Sequence, residues 1–300
     1  MTTGSHDVLI RPMAPEDLPA AEALSARAYY EVDLASYQRA WPEPVRRSPE
    51  RGSDWQRRTG HLLETDPAGC WVADRGGEVV GIATSLVREL MWVLASYAVT
   101  PGQQGSGIGR QLLAAALAHG RGCLRGMLNA SPDPRAARLY RSVGFALHPQ
   151  MLLWGHVSRA DLPVGIRHVR DGGPDDFDLM DSIDRRVRGA AHGPDHPVMA
   201  ERFRLLVSDR PAGSGYAYVD PAGGTVVLAA THRKTARSLM WEGLAGSDPE
   251  VPVEIGHVTA ANQWALDVAL EARLAVYNRG FLAVRHLRPP APYLPHPTFL

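Results

Sequence analysis

The feature that most constrains this chain is a glycine-rich turn between an apolar segment and an amphipathic one. Residues 97–109 read Tyr-Ala-Val-Thr-Pro-Gly-Gln-Gln-Gly-Ser-Gly-Ile-Gly. The apolar run before the turn ends at Val99, and an apolar pattern with helical spacing begins at Ile108. Such a turn points several backbone N–H groups at one place, where the helix dipole adds positive potential. It therefore predicts a phosphate or pyrophosphate site.

The type of phosphate loop follows from the residues around the glycines. A Walker A loop needs Gly-Lys-Ser/Thr, but Ile108 follows Gly107, and the third glycine of a dinucleotide fingerprint would fall on Arg110. The segment from Gln104 to Gly109 instead resembles the R/Q-x-x-G-x-G/A pyrophosphate loop of the GNAT (GCN5-related N-acetyltransferase) superfamily. This resemblance implies acetyl-CoA as cosubstrate, with its pantetheine arm along a strand backbone and its pyrophosphate on the turn. The residues implied are Ala98, Val99, Gln104, Gly105, Ser106, Gly107, Ile108, Gly109, Arg110 and Asp133.

A second segment, residues 127–145, carries the same resemblance. Asp133 is placed to cap a helix that has Pro134 at its first position, and Gly144 is placed to end it. The segment resembles the GNAT pattern N-x-x-A-x-x-L-Y-x-x-x-G-F, with Asp133 where the family usually has Asn. In that family the tyrosine protonates the departing thiolate of coenzyme A, which implies this role for Tyr140. A packed core tyrosine is the alternative, because Tyr140 lies on the apolar stripe of its helix.

Composition excludes several classes of protein. The chain has 32 Lys plus Arg and 32 Asp plus Glu, so no overall basic field favours nucleic acid or an anionic membrane. The N-terminal residues lack the pattern of a signal peptide, and no apolar run approaches the ~20 residues of a membrane span. The two cysteines, Cys70 and Cys123, make no disulfide framework and suit the cytoplasm.

The pattern of elements predicts an α/β (α+β) chain of two GNAT-like domains, each with a mixed, mostly antiparallel central sheet flanked by helices. Residues 1–157 form the acetyl-CoA-binding domain, with a hairpin around residues 74–77, and residues 158–165 form a linker. In residues 166–300 the pattern partly restarts: Ile166-Arg167 resembles Ile10-Arg11, and a helix over residues 264–276 before Gly280-Phe281 resembles the helix of Tyr140. This tandem arrangement implies either a monomeric pseudo-dimer or a homodimer.

The second domain is predicted to be degenerate. After its strand at residues 225–230 comes Thr231-His232-Arg233-Lys234-Thr235, a turn without glycine, so backbone donors cannot closely approach a pyrophosphate. We interpret this domain as structural, or as a wall of the substrate site.

Metal chemistry is not expected. His192, Asp195 and His196 form the only suggestive group, but Gly193-Pro194 prevents a regular helix from presenting both imidazoles on one face. A polar loop is the expected structure there, and no metal is predicted.

The general base is the least defined part of the site. The position where histone-type GNATs carry glutamate holds Val93 here. Glu89, His61 and Glu64 are the nearby titratable groups, but none lies in a motif, and many members of the superfamily use ordered water.

The acceptor is an amine of a small molecule or peptide. In this superfamily the segment after the first helix lines the acceptor site, which implies roles for Tyr29, Tyr30, Tyr37 and Trp41. Arg46, Arg47 and Trp55 lie in the same stretch, and helix packing beside a solvated basic surface is the other interpretation. The predicted function is N-acetyl transfer from acetyl-CoA by direct attack. The alternatives are a non-catalytic acyl-CoA sensor or scaffold, and acetylation of protein lysines.

Overall fold

The computed structural model describes residues 7–166 and 168–300, which divide into two compact units. The first unit holds the described residues up to Leu128 together with Pro132–Val143, and the second holds Asn129–Ser131 and the described residues from Gly144 to Leu300. Both units combine mainly antiparallel strands with flanking helices. This confirms the predicted fold class.

The elements follow one another closely in the first half of the chain. They are β1 (Leu9–Pro12), α1 (Leu18–Ser36), α2 (Pro49–Thr65), β2 (Cys70–Arg75), β3 (Glu78–Arg88), β4 (Met91–Val99), α3 (Ile108–His119), β5 (Arg125–Ala130), α4 (Pro134–Ser142) and β6 (Ala146–Gly155).

The second half has shorter elements. They are β7 (Arg170–Asp171), α5 (Phe177–Val187), α6 (Asp195–Ala200), β8 (Arg204–Ser208), β9 (Gly215–Val219), β10 (Thr225–Ala230), α7 (Arg233–Ala245), β11 (Val253–Thr259), α8 (Gln263–Glu271), β12 (Ala275–Arg285) and β13 (Tyr293–Leu294).

In the first unit, the strands lie in the order β1-β2-β3-β4-β5, with antiparallel pairs up to β4 and a parallel pair between β4 and β5. Helix α3 packs on this sheet through Leu112 and Leu113, which are almost fully buried. Burial of each leucine side chain contributes about 1.5–3 kcal/mol, so the helix is held firmly where it leaves the glycine-rich turn.

In the second unit, β13, β10, β9, β8 and β7 form one antiparallel sheet, and β6 lies between β12 and β11. Strand β6, predicted as the last strand of the first domain, therefore belongs to the second unit. The domain boundaries at residues 157 and 166 stay a prediction. They were inferred from the repeated sequence pattern, whereas the two units are defined by the contacts between residues.

One predicted helix ends earlier than expected. The prediction of a helix over residues 264–276 is wrong at its end, since α8 stops at Glu271 and β12 begins at Ala275. Arg273 takes a left-handed conformation with φ of 68°, and the Leu274 N–H bonds the Ala269 carbonyl. This closes the helix without a glycine.

An ion pair repeated in the two units supports the internal repeat. Arg11 donates to both Asp17 oxygens at 2.7 and 2.9 Å, while Asp17 accepts the Ala14 N–H. In the second unit, Arg170 bonds Asp176 in the same way, and Asp176 accepts the Gly173 N–H at 3.0 Å. Each aspartate stands one residue before a long helix. The counterpart of Arg11 is thus Arg170 rather than the predicted Arg167, which lies outside the described residues.

No helix among the described residues combines the length and apolar character needed to span a bilayer.

Candidate active site

Strands β4 and β5 separate partway along their length. Their parallel pairing covers Met91–Leu94 against Arg125–Leu128 and then ends. At the same point the register of β4 against β3 shifts between Thr84 and Ser85, which makes Ala95 a bulged residue. Beyond it, Ser96–Val99 pair with β3 on one edge only in the described part of the chain. On the other edge the Tyr29 hydroxyl already binds the Tyr97 N–H, and the remaining outward-facing backbone groups are available to an extended ligand.

The turn after β4 has the backbone that its glycines predicted. Gly102, Gly105 and Gly107 have φ values of 82°, 89° and 92°, a left-handed region that other residues adopt only with strain. Gly107 is the N-cap of α3, and no side chain caps the helix there. The first intrahelical bond runs from the Gln111 N–H to Gly107. The N–H groups of the first turn of α3 therefore point out of the helix, as anion binding requires.

Gly109 serves packing rather than a turn. A side chain at this position would collide with the Tyr97 hydroxyl, which lies against the first turn of α3. Gln104 and Ser106 bond within the turn itself, to the Val99 carbonyl at 3.4 Å and the Gln103 carbonyl at 2.7 Å. Gly105, Ser106, Gly107 and Arg110 are exposed to solvent. These four residues thus form an accessible surface after β4, whereas Ile108, also predicted as a loop residue, is buried at 3% exposure.

Helix α4 carries Tyr140 next to this surface. Asp133 caps the helix by accepting the Arg135 N–H at 2.7 Å, and Pro134 is its first residue, as predicted. The Arg135 side chain bonds Asp133 and reaches Gln104 of the turn at 3.1 Å. The start of α4 and the glycine-rich turn are therefore neighbours.

Tyr140 is 4% exposed and meets the ring of Tyr97 edge-on, with ring centres 6.1 Å apart. Within the described residues its hydroxyl makes no hydrogen bond. Burial raises the pKa of Tyr140 well above its usual value, and the neighbouring Tyr97, Tyr29 and Asp133 raise it further. The hydroxyl is therefore fully protonated at neutral pH, as a proton donor must be.

The four predicted acceptor residues divide into two groups. Tyr29 is drawn into the fold, since its hydroxyl accepts the Tyr97 N–H at 3.2 Å and thereby holds β4. Tyr30 is partly exposed and is covered by the guanidinium of Arg46, 4.6 Å from the ring centre. Tyr37 and Trp41 lie beyond the end of α1, and Tyr37 is 37% exposed. Of the four, only Tyr29 makes a hydrogen bond to the strand that leads to the glycine-rich turn in the contacts described above.

The neighbouring arginines and Trp55 serve mainly packing. Arg47 pairs with Glu22 at 2.8 Å and bonds Ser25 at 2.9 Å. Trp55 is buried at 5% exposure on α2, 5.8 Å from the Arg47 guanidinium. This part of the segment matches the interpretation of helix packing.

The residues considered for the general base lie on different elements of the first unit. Val93 is fully buried in the paired half of β4. Glu89 lies in the turn before β4, about 17 Å along an extended strand from Leu94, where the pairing with β5 ends. His61 and Glu64 lie on α2, near its end.

In the second unit, the edge of β10 is occupied by the chain itself. Tyr293 and Leu294 of β13 pair with Ala229 and Leu228, and the Asn262 side chain accepts the Tyr293 N–H and donates to the Pro290 carbonyl. The turn between β10 and α7 is only Thr231-His232 and borders a cavity of about 530 Å³ together with Arg233 and Lys234. Strand β13 therefore occupies the edge of β10 with which the pantetheine arm of an acyl-CoA would have to pair.

The prediction of a polar loop around His192 and His196 is wrong. Both imidazoles are fully buried, because loop 188–194 folds back over α5. The Asp184 carboxylate accepts hydrogen bonds from His192 Nδ1 at 2.6 Å and from the Tyr216 hydroxyl at 2.7 Å. Asp181 accepts the Gly193 N–H at 2.9 Å and lies 3.2 Å from His196 Nε2.

The sequence contains a signal for this cluster. Asp181 and Asp184 are three residues apart on one face of α5, and Tyr216 and Tyr218 alternate on one face of β9. The glycines at 189 and 193, with φ of 88° and 55°, let the loop return over the helix. A helix was not needed to bring the two imidazoles together.

The cluster has the ingredients of a metal site. Ligand atoms of Asp184, His192 and His196 all lie within 4.8 Å of one another. The 2.6 Å between His192 Nδ1 and Asp184 is a hydrogen-bond length, shorter than the about 3.3 Å between two ligands bound at 2.0 Å in a tetrahedron. At this pair of atoms the geometry fits a shared proton, while the buried His192 Nε2 has no hydrogen-bond partner among the described residues and is available as a ligand atom.

The charges in the cluster are set by burial and by one another. Burial and the nearby Arg188 lower the pKa of His192 to about 4. Burial lowers the pKa of His196, but its bonds to Asp181 and Asp184 outweigh burial and leave it raised. Burial raises the pKa of Asp184, yet His192 and His196 hold it below the usual range. His192 is therefore neutral at pH 7, and Asp184 is ionised.

Comparison with known proteins gives one family. The sequence model of the acetyltransferase (GNAT) family matches residues 27–145. Mycothiol acetyltransferase from Streptomyces coelicolor is 30% identical over 158 residues, which are 49% of this chain and 51% of that protein. The chain thus spans about half the length of the curated relatives it matches.

Solved structures match almost the whole chain. A protein from Pyrococcus horikoshii aligns with a TM-score of 0.70 and 18% identity, over 96% of this chain and 92% of that one. A tandem GNAT protein from the clavulanic acid biosynthesis pathway aligns with a TM-score of 0.54 and 16% identity, over 94% and 99%. At these identities the likeness concerns the fold of both halves.

Proposed function

We propose that the chain is an N-acetyltransferase of the GNAT superfamily, in a tandem arrangement, that moves an acetyl group from acetyl-CoA to a primary amine. The observation that carries the proposal lies within the first unit. A strand edge left open beyond Leu94, a glycine-rich turn with free N–H groups, and a protonated tyrosine lie side by side there. These three features match the three parts of acetyl-CoA: the pantetheine arm, the pyrophosphate and the thioester sulfur.

Binding uses mainly backbone groups. The pantetheine amides pair with the open edge of β4 at Val99, as an added strand would, and Ala98, whose backbone faces β3, lies beside them. The pyrophosphate binds the N–H groups from Gln104 to Arg110, where the α3 dipole is positive. Asp133 acts indirectly, by capping α4 and positioning Arg135 against the turn.

The chemical step is direct attack. The neutral amine attacks the thioester carbonyl carbon, so a C–N bond forms and the oxygen takes negative charge. The bulge at Ala95 leaves strand backbone beside this centre, where an N–H group stabilises an oxyanion. The C–S bond then breaks, Tyr140 gives its proton to the thiolate, solvent takes the proton lost by the amine, and the tyrosinate regains a proton from solvent.

The acceptor is proposed to be a small molecule or peptide. Curated relatives carry the name mycothiol acetyltransferase, which refers to a small molecule, and this favours a small acceptor over a protein lysine. Tyr30, Tyr37 and Trp41, with Tyr29 behind them, stay the proposed lining of the acceptor site. Cytoplasmic location and a monomer or homodimer also stay predictions.

The test measures two things on the full chain. Calorimetry should detect acetyl-CoA binding, and a free-thiol assay should detect coenzyme A release that depends on an amine from a panel of small amines and peptides. Binding without turnover on any amine would favour the non-catalytic acyl-CoA sensor. Turnover only on protein lysines, detected by mass spectrometry, would show that the chain is a protein-lysine acetyltransferase.

A further inference from the structure

One face of the second unit's sheet is polar although it is buried. Strand register places Tyr216 of β9 and Tyr293 of β13 on either side of Ala229 of β10. The Cα atoms of these two tyrosines are two strand spacings, or about 10 Å, apart, and only the Ala229 methyl group lies between their side chains on this face. Helix α5 packs over β9 and β10, and the Tyr216 hydroxyl reaches its residue Asp184. Helix α5 therefore covers the face of the sheet that carries these two tyrosines.

Arg188 lies one helical turn beyond Asp184, on the same face. Its backbone N–H still bonds the Asp184 carbonyl at 2.8 Å, so the two side chains leave the helix on one side. The Asp184 carboxylate is already bound by His192 and Tyr216. It therefore gives Arg188 a counter-charge without a hydrogen bond.

The Arg188 guanidinium has no hydrogen-bond partner within the described residues. The residue is 2% exposed, and its Nε, Nη1 and Nη2 atoms are all buried and unbonded. The Tyr293 hydroxyl, in a residue that is 1% exposed, is unbonded too. A buried charge without hydrogen bonds costs several kcal/mol, so native proteins almost always satisfy such groups.

The unbonded groups define the chemistry of an occupant. A guanidinium offers N–H donors in a planar fork, which matches the two oxygens of a carboxylate. A tyrosine hydroxyl adds a further donor to the same kind of oxygen. A cation is disfavoured because the guanidinium is itself positive.

We propose that Arg188 and Tyr293 form an internal binding site for a small carboxylate in the second unit. The guanidinium binds both carboxylate oxygens, and the tyrosine hydroxyl donates to one of them. Strand register places the small Ala229 side chain between Tyr216 and Tyr293, on the face of the sheet that α5 covers. Arg188 and Tyr293 belong to the second unit, whereas the glycine-rich turn and Tyr140 belong to the first.

The experiment uses thermal unfolding of the full chain in acetate, glycolate, phosphate and acetamide at constant ionic strength. Acetate and glycolate should raise the melting temperature in a saturable way, phosphate should do so less because it is tetrahedral, and neutral acetamide should not. Arg188→Met should weaken the apparent affinity at least tenfold. Arg186→Met, an exposed arginine on the same helix, should leave it unchanged.

Tyr293→Phe keeps the ring and removes only the hydroxyl, so it tests the site even if Arg188→Met fails to fold. It should weaken carboxylate binding several-fold and leave acetyl-CoA binding unchanged. Equal stabilisation of wild type and both variants, or no saturable effect of carboxylates on wild type, would overturn the proposal. A high-resolution structure in acetate that shows only water on Arg188, or a stoichiometric metal ion at His192 and His196, would also overturn it.

Discussion

Tyr140 is the residue on which the proposed chemistry depends, and its hydroxyl is free of hydrogen bonds within the described residues. Tyr140→Phe keeps the ring packed against Tyr97 but removes the proton donor. General acid catalysis is worth about 10²–10⁴-fold, so we expect turnover to fall at least tenfold with little change in acetyl-CoA affinity. Steady-state kinetics and calorimetry on the same preparation measure both.

The neighbouring ring provides the matched comparison. Tyr97→Phe removes a hydroxyl that lies against Gly109 and leaves the edge contact with Tyr140 in place. If Tyr97→Phe lost turnover and Tyr140→Phe did not, the proton donor would be Tyr97.

At the scale of residues, the sequence predicted what short-range chemistry determines. The cap at Asp133, the first-turn Pro134 and the left-handed Gly105 and Gly107 all depend on a few neighbouring residues. The burial of His192 and His196 could not be predicted in this way. It depends on Tyr216 and Tyr218, more than 20 residues away on a strand whose pairing is a property of the whole unit.

At the scale of elements, the turn between β4 and α3 should determine acetyl-CoA affinity. Gly107→Glu places a carboxylate at the N-terminus of α3, where it would repel a pyrophosphate and block its approach. We expect affinity to fall more than tenfold, or by more than about 1.4 kcal/mol, in calorimetry.

Backbone strain needs its own control, because Gly107 is left-handed. Gly77 in the β2–β3 turn has almost the same φ, 91° against 92°, and a side chain there also meets no neighbour within 4 Å. Gly77→Glu should therefore cost similar stability and leave acetyl-CoA affinity intact. Equal affinities for the two variants would argue against a pyrophosphate site at the turn.

The loop between α5 and α6 should make stability depend on pH. The folded-state pKa of His192 is about 4 against 6.5 for the free group, so the unfolded chain binds more protons between these values. Stability should then fall as pH is lowered from 6.5 towards 4, by at most about 1.4 kcal/mol per pH unit from this residue. Because the folded-state pKa of His196 is raised above 6.5, its contribution to the free energy of unfolding is lost as pH rises above that value.

Denaturant unfolding at pH 6.5 and 4.5 measures this difference. His192→Asn retains a donor for Asp184 but cannot take up a proton, so its difference in unfolding free energy should be smaller than that of wild type. His148→Asn, at a partly exposed position on β6, is the control and should behave as wild type. Equal pH dependence in all three proteins would mean that His192 titrates normally.

At the scale of the whole molecule, the two halves keep the same helix start and differ in their ligand turn. Both have the Arg–Asp pair before the first long helix, but only the first has left-handed glycines after the fourth strand of its sheet. The tandem fold was predictable because helix and strand periods persist in both halves. The pairing of β13 with β10 was not, because a two-residue strand leaves no periodic pattern.

Stoichiometry tests this difference. Titration of the full chain should give one acetyl-CoA per chain, because β13 fills the edge of β10 and the turn at residues 231–232 has no glycine. The Gly107→Glu variant should then show almost no remaining binding. Two sites per wild-type chain, or one undiminished site in the variant, would show that the second unit binds the cosubstrate.

The short strand β13 has a consequence for association between chains. A strand with one bare edge presents a row of unpaired N–H and C=O groups, which is a template for adding a strand from another molecule. Leu228 and Ala229 of β10 are apolar and would form such a template, but Tyr293 and Leu294 already cover them. Because the Asn262 side chain anchors this cover, one amide also protects the sheet against edge-to-edge aggregation.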